Sequence, residues 1–378
     1  MNQNVHIGWG VIKNVSLILK EINPTKVFLV SGKNSFNDSG AEKSLKQILK
    51  KFDVFQFNEF EPNPKLSDLL KGIQYFNHCR AEVILAVGGG TAIDMAKLIR
   101  ILVAQNRSPV EVIHHQDYIL YRGVPIIAVP TTAGSGSEAT QFAVVYCEKE
   151  KFSVAHPYVL PEYAIVDSKL SMSMSPRLTA VSGIDAISQA VESLWSVQSS
   201  KDSIFAARIA LKKGLENIES AVNAPTKSSR IEMSRSAHYA GRAINISKTT
   251  APHALSYSMT SCFGVPHGQA VGLTLGEFII FNSLVSNADV ADPRGEKHVR
   301  ETINHICSLL SASDEFDARK RIRNLMKKIG LAISLKEVGI NLQRDRDKIA
   351  DMSNSIRLKN NPRQVSRHDI KSILDSIA

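Results

Sequence analysis

No apolar run in this chain approaches the roughly 20 residues that a membrane-spanning helix needs. The longest, such as Ile84 to Val87 and Val124 to Val129, are strand-sized. Met1 to Gly10 lack the basic start, apolar stretch and small-residue cleavage site of a secretory signal, so a cytoplasmic address with no membrane partner is expected. Cysteine is sparse: Cys79, Cys147, Cys262 and Cys307 are scattered without C-x-x-C spacing, which excludes a disulfide framework and a zinc knuckle and predicts reduced, mostly buried thiols. There is no internal repeat or low-complexity tract, and neither a G-x-G-x-x-G nor a Walker loop. At 43% hydrophobic and 22% charged residues the composition is that of a globular protein, not a disordered one. The net charge of +10 is diffuse. Its densest run, Arg319 to Lys328, carries Ile322, Leu325 and Ile329 in a helical pattern, which reads as a solvated helix face rather than a nucleic-acid site. The positive sign favours an anionic substrate.

A length of 378 residues is more than twice the common domain size of roughly 100–150, so two domains are expected. From Lys26 to Asp167 short apolar runs (Val27 to Val30, Val83 to Val87, Ile126 to Val129, Ala164 to Val166) alternate with amphipathic segments, the pattern of buried parallel strands joined by crossover helices. Beyond Asp167 the pattern turns helical, with breaks near Pro225, Gly264 to Pro266 and Pro293. Ser175-Pro176 reads as an N-cap followed by a first-turn proline, which places the boundary near residues 168–176 and divides the chain into an α/β domain, 1–170, and a helical domain, 171–378.

Two loops at strand ends carry ligand chemistry. Gly88-Gly89-Gly90-Thr91 follows Val83 to Val87 and runs into a helix-like segment containing Asp94 and Lys97. Glycines there let backbone approach a pyrophosphate, whose charge suits a helix N-terminus, although a tight structural turn also explains them. Pro130 to Glu138 offers the hydroxyls of Thr131, Thr132 and Ser135 to phosphate or ribose oxygens, with a plain Gly/Ser surface loop as the alternative. Together, at the ends of two predicted parallel strands, they favour a nucleotide cofactor.

Pro176 to Ser196 reads as an amphipathic helix on which Asp185 and Gln189, four apart, share a face. Alone, the stripe Asp185, Gln189, Glu192 is better explained as a solvated face. His253 and His267 change that balance. Each directly follows a proline suited to a helix start, where the dipole disfavours imidazolium and is expected to leave the ring neutral and able to coordinate. Two histidines and a carboxylate suffice for a catalytic divalent metal with open positions.

The stretches GGGTAIDMAK (88–97), VPTTAGSGSEAT (129–140), GIDAISQAVES (183–193) and HALSYSMTSCFGVPHG (253–268) occur in the order and context of the iron-containing (group III) alcohol dehydrogenases, which the chain resembles over nearly its whole length. The resemblance implies a dehydroquinate synthase-like fold, with an α/β dinucleotide-binding domain, an all-helical metal-binding domain, a cleft between them, and a homodimer or larger homo-oligomer. It implies metal-dependent hydride transfer between NAD(P)H and an aldehyde or alcohol. The family's metal positions fall on Asp185, Gln189, His253 and His267, with Fe2+ expected ahead of Zn2+. Gln189 departs from the family's histidine and offers only a neutral amide oxygen, so the metal is expected to bind loosely. Tyr257 stands where most members carry a proton-relaying histidine; a phenol of pKa about 10 is a poorer relay at neutral pH, and shaping the pocket is its alternative role. Cofactor contacts are implied at Gly32, Lys33, Asn34 and Ser35, at Asn63, in the two loops (Gly89, Gly90, Thr91, Asp94, Thr131, Thr132, Ser135), and at Lys151 and Leu178. NAD-preferring members place an Asp at the end of the first of these strands to repel a 2′-phosphate. Here Gly32 and Lys33 occupy that place, so NADPH is expected ahead of NADH.

Before the metal histidine, where the family carries small uncharged residues, this chain has Ser247-Lys248-Thr249-Thr250-Ala251-Pro252. A lysine and two hydroxyls at a helix N-terminus beside a metal ligand form an anion site, against the alternative of a solvent-exposed loop lysine. With Ser188-Gln189 and Ser31 to Ser35, this stretch looks like the branch of the family that reduces phosphonoacetaldehyde. Lys248 and Thr249, with nearby cations such as Arg242, would then receive the phosphonate. The alternatives are a broad-range reductase of short aldehydes and, in another class, a nucleotide-binding regulator that lost its metal through Gln189.

Overall fold

Val27 and Leu29 belong to one apolar cluster and Phe28 and Val30 to another; Val83, Leu85 and Val87 divide in the same way from Ile84 and Ala86, and Ile127 and Val129 from Ile126 and Ala128. A strand with a core on each face has to be apolar at every position, which explains the unbroken aliphatic runs. The computed structural model describes residues 3–147 and 150–378. Its strands are β1 (Asn4–Gly8), β2 (Lys26–Ser31), β3 (Asp53–Phe57), β4 (Val83–Gly88), β5 (Ile126–Pro130), β6 (Phe142–Cys147), β7 (Glu150–Ala155) and β8 (Tyr163–Asp167). Six of them form one parallel sheet in the order β1-β8-β5-β4-β2-β3, and β6 and β7 pair antiparallel beside it in the chain's course. From β2 the chain passes outward to β3 and then crosses back to β4, so the connections diverge between β2 and β4.

β1 and β3 are not among the runs read from the sequence. Both are edge strands, β1 with no buried position and β3 with one, and an edge strand buried on one side at best carries no continuous apolar signal.

The chain divides into two compact units, Met1–Met174 and Ser175–Ala378. In the first, the helix α1 (Gly90–Val103) follows β4 directly. The second is built from helices, the central ones being α2 (Pro176–Trp195), α3 (Lys201–Asn223), α4 (Lys227–Ser247), α5 (Ala251–Phe263) and α6 (His267–Ser283). Ser175 caps α2 as the sequence indicates, its Oγ accepting from Leu178 N at 3.2 Å with Pro176 in the first turn. α2 is not amphipathic beyond that start: every residue from Gly183 to Ser196 is buried. The stripe Asp185, Gln189, Glu192 is therefore not a solvated face; these side chains lie inside the helical unit, 6%, 3% and 0% exposed. The basic run does lie on a helix, Glu315–Lys328, with Ile322, Leu325 and Met326 buried and Arg319 and Arg323 paired with Glu277. None of the four cysteines is in a disulfide, Cys79 and Cys307 being buried and the other two partly so. Among the described residues no helix is long and apolar enough to cross a membrane.

Candidate active site

The carboxyl ends of β2, β4 and β5 bring three loops together at the point where the strand connections diverge. Gly32 donates its N–H to Val87 O at 3.0 Å and Thr131 donates to Gly88 O at 2.9 Å, which ties Gly32 to Ser35 and Thr131 to Ser135 onto the glycine loop between them. α1 starts at Gly90, where a Cβ would lie 2.8 Å from Ser135 Oγ, so the glycine is what lets the loops meet. Thr131 Oγ1 is buried there with no hydrogen-bond partner. A crevice at the carboxyl ends of parallel strands, floored by a helix N-terminus and bordered by an unsatisfied hydroxyl, fits a dinucleotide's phosphates.

The other residues expected to contact the cofactor differ in exposure and in what holds them. Lys33, Asn34 and Asn63 are exposed, and Asn63 has left-handed backbone (φ 64) that asparagine tolerates. Tyr146 links the residue after Asn63 to Lys151: its N–H donates to Pro64 O at 2.7 Å, and it pairs with Lys151 across β6 and β7. Asp94 braces the second loop, accepting from Ser137 Oγ and, at 3.0 Å, from Val144 N. Lys97 completes that brace with 3.0 Å bonds to Ser137 Oγ, Thr140 Oγ1 and Phe142 O, and burial pushes its pKa down to about 8. Leu178 lies in the first turn of α2 and is 43% exposed.

In the helical unit, Asp185, His253 and His267 offer ligand atoms that all lie within 4.8 Å of one another. Backbone packing creates this meeting. A Cβ on Gly268 would lie 2.0 Å from Val181 O, so only glycine after His267 allows the start of α6 to press onto α2 beside Asp185. Nε2 of His253 and Nε2 of His267 approach Asp185 Oδ1 to 3.4 and 3.9 Å. Their Nδ1 atoms face protein partners, Glu192 for His253 and Ser256 Oγ, at 3.2 Å, for His267. Ser256 donates its own proton to His253 O at 2.8 Å, so its oxygen accepts from His267 Nδ1–H and leaves Nε2 with its lone pair.

Gln189 donates from Nε2 to Asp185 Oδ2 at 3.0 Å, the orientation a carboxylate requires, and its Oε1 is buried with no hydrogen-bond partner. That donor set, two imidazoles, a carboxylate and a spare amide oxygen, fits a divalent cation, and His267, 36% exposed at its side chain, leaves one side open for substrate. Tyr257 borders the same side, its ring 6.3 Å from that of His267.

Glu192 is the residue that sequence reasoning undervalued. It is fully buried and accepts from Thr250 N and, at 2.9 Å, from Thr250 Oγ1, which in turn accepts from Trp195 Nε1 at 2.8 Å. Burial disfavours a charged His253, but the Glu192 and Asp185 carboxylates outweigh it and raise the ring's pKa to about 10. Two nearby carboxylates favour positive charge at this ring, and the same field favours a metal cation in the proton's place. Glu192→Gln, which keeps the shape and removes the charge, should weaken metal affinity about 10–100-fold. Titration against a competing chelator measures this, and unchanged affinity would show that Glu192 serves packing alone.

Lys248 lies where α4 ends, with φ 62, and its Nζ donates to Asn245 O at 3.2 Å. Of the two hydroxyls expected to join it, Thr250's is engaged by Glu192 and Trp195, while Thr249 is buried, its carbonyl held by Asn360 Nδ2 at 3.0 Å. Arg242, expected nearby, is exposed on α4 with its guanidinium 5.6 Å from the Tyr239 ring centroid. The cation that acts on Lys248 is instead Arg357: burial first and Arg357 second push the lysine's pKa down to about 8.

Comparison with known proteins agrees with this architecture. A profile described as iron-containing alcohol dehydrogenase matches residues 2–168, and one described as Fe-containing alcohol dehydrogenase family, C-terminal, matches residues 179–378. A phosphonoacetaldehyde reductase of Streptomyces viridochromogenes is 34% identical over 243 residues, which span 62% of this chain and 62% of that protein, short of two thirds of either. The solved structure of a sulfoacetaldehyde reductase from Bifidobacterium kashiwanohense in complex with NAD+ superposes with a TM-score of 0.88 at 27% identity, covering 100% of this chain and 97% of that one. An iron-containing alcohol dehydrogenase from Thermotoga maritima gives 0.84 at 25% identity, with 100% and 98% covered. With the C-terminal profile alone spanning more than half of the chain, this protein belongs to the iron-containing alcohol dehydrogenase family of oxidoreductases.

Proposed function

We propose that the protein is a metal-dependent reductase of a small anionic aldehyde, using NADPH to convert phosphonoacetaldehyde into 2-hydroxyethylphosphonate. The observation that carries this reading is the place of Lys248, in the loop that leads into the helix bearing His253. The names of two relatives support it, since both phosphonoacetaldehyde and sulfoacetaldehyde join a two-carbon aldehyde to a tetrahedral oxyanion. A divalent ion, Fe2+ ahead of Zn2+, held by Asp185, His253 and His267 with Gln189 Oε1 in reserve, would polarise the aldehyde while NADPH supplies the hydride. The chain's own contribution is orientation. Glu192 and Ser256 fix the two imidazoles through Nδ1, Tyr257 walls the open side, and Lys248 places the anionic end of the substrate at a fixed distance from the reacting carbon.

The test is a steady-state comparison of phosphonoacetaldehyde with propanal, each with NADPH and with NADH. The expected result is a higher kcat/KM for the phosphonate aldehyde, and equal values would refute the reading. A broad-range aldehyde reductase is the second reading, favoured by the bond from Lys248 Nζ to Asn245 O, which suits a cation that merely terminates α4.

For the cofactor, NADPH is expected to give the higher kcat/KM because no carboxylate at Gly32 opposes a 2′-phosphate. Replacing Gly32 alone is a poor probe: a Cβ there would meet Ser35 Oγ at 2.1 Å, while Ser35 Cβ is 3.5 Å away. The Gly32→Asp, Ser35→Ala double variant removes that clash and should shift the NADPH/NADH ratio towards NADH by about tenfold, equivalent to ~1.4 kcal/mol. A wild-type enzyme that uses NADH better would contradict the assignment.

A further inference from the structure

The segment 354–360 returns to the connection between α4 and α5, pinned at one end to that connection and at the other to the first turn of α5. Asn354 N donates to Ala254 O at 3.3 Å, and Asn360 Nδ2 donates to Ser247 O at 2.8 Å and to Thr249 O at 3.0 Å. Asn360 is itself buried, its Oδ1 accepting from Ser196 Oγ at 3.1 Å. Between the anchors lies the four-residue helix α7 (Ser355–Leu358), which packs on α5 and carries Arg357, its N–H bonded to Asn354 Oδ1 at 2.9 Å. Arg357 thus sits on a segment anchored at one end to the carbonyls on either side of Lys248 and at the other to Ala254, the residue after His253. Asn360's grip on the carbonyls of Ser247 and Thr249 also secures Lys248 in a left-handed conformation that a lysine seldom adopts. Lys248 and Arg357 thus stand on two backbone segments joined by these anchors, and like charges on adjoining segments repel each other and stabilise an anion placed against both.

We propose that Arg357 is a specificity-determining residue, forming with Lys248 a two-cation subsite for the tetrahedral oxyanion of the substrate, a phosphonate or a sulfonate, beside His253. This rests on the anionic-aldehyde reading above and adds to it a residue that the motifs do not contain. A guanidinium fork takes two oxygens of such a group bidentately while the ammonium takes the third. Two cations match a phosphonate dianion better than a sulfonate monoanion, so the phosphonate aldehyde is expected to be the better substrate of the pair.

The experiment measures kcat/KM for phosphonoacetaldehyde, sulfoacetaldehyde and propanal in wild type, Arg357→Met and Arg357→Lys, with the inhibition constant of ethylphosphonate, which has the oxyanion and no aldehyde. Arg357→Met should lower kcat/KM for both anionic aldehydes by about 10–100-fold, raise the ethylphosphonate inhibition constant by a similar factor and leave propanal within about twofold. Arg357→Lys should recover part of the loss, and the ratio of the two wild-type values identifies the oxyanion. If Arg357→Met does not fold, Arg357→Lys decides: a loss confined to the anionic ligands supports the subsite, and none overturns it. An equal loss with propanal overturns it as well, because Arg357 would then serve the fold. A wild type that prefers propanal defeats both the anionic-aldehyde reading and this one, whereas a wild type that prefers the anions with Arg357→Met unchanged defeats the Arg357 assignment alone.

Discussion

His267→Ala should release the metal and abolish turnover together. The ring lies at the start of α6, with Nδ1 satisfied by Ser256 and Nε2 3.9 Å from Asp185 Oδ1, so no other atom of the residue is placed to coordinate. Losing a partner outside the ligand set costs about 10–100-fold in metal affinity, and losing one of three protein ligands should cost more, with activity falling by about three decades. The fold should survive, since His267 is partly exposed and Gly268, not His267, makes the close contact with α2. Metal content per chain after purification and the thermal midpoint therefore form the decisive pair: metal lost and midpoint of the apo protein kept. Gln189→His is the converse experiment, and tighter metal retention is expected because an imidazole replaces an amide oxygen that has no partner of its own. Full activity in His267→Ala would remove it from the ligand set.

The second large effect is at Lys248. Lys248→Met should depress kcat/KM for phosphonoacetaldehyde by about one to two decades, corresponding to the roughly 1.5–3 kcal/mol of a charge-assisted contact, and leave propanal nearly unchanged. The pH profile gives an independent readout. The ammonium donates to the carbonyl of Asn245, and its pKa is held down to about 8 by burial and then by the charge of Arg357. A lysine is charged below its pKa, so kcat/KM for the anionic aldehyde should fall as pH rises through about 8, while the propanal profile lacks that limb and Lys248→Met loses it. Equal losses for both substrates would mean that Lys248 serves the metal loop or the end of α4.

What the sequence discloses and what it conceals divide by distance along the chain. The glycine loops, the Asp185 and Gln189 pair four residues apart, and the two Pro-His steps are local signals, because helix periodicity and strand ends place such residues without knowledge of any partner. Glu192 shares that local helix yet was misjudged as solvated: its burial depends on helices packing around α2, and its partner His253 comes from α5. Arg357 is more remote still. Its segment is brought to the Lys248 loop by hydrogen bonds from Asn354 and Asn360, the latter closing a separation of 113 residues to Ser247, and nothing in the spacing of lysines and arginines distinguishes it from Arg242, whose guanidinium lies 5.6 Å from the Tyr239 ring centroid. The surroundings of His253 are hidden for a related reason, since a helix position is visible in sequence and two converging carboxylates, Asp185 and Glu192, are not.

The central claim, that this family member is built for an anionic aldehyde, is tested most directly by competition. Metal-loaded wild-type enzyme with limiting NADPH is offered equimolar phosphonoacetaldehyde and propanal, and the two alcohols are quantified, which reads the ratio of kcat/KM values in one vessel. The account predicts 2-hydroxyethylphosphonate in excess over propanol by about tenfold or more, the equivalent of at least ~1.4 kcal/mol of differential transition-state binding. Propanol in equal or greater amount would contradict it.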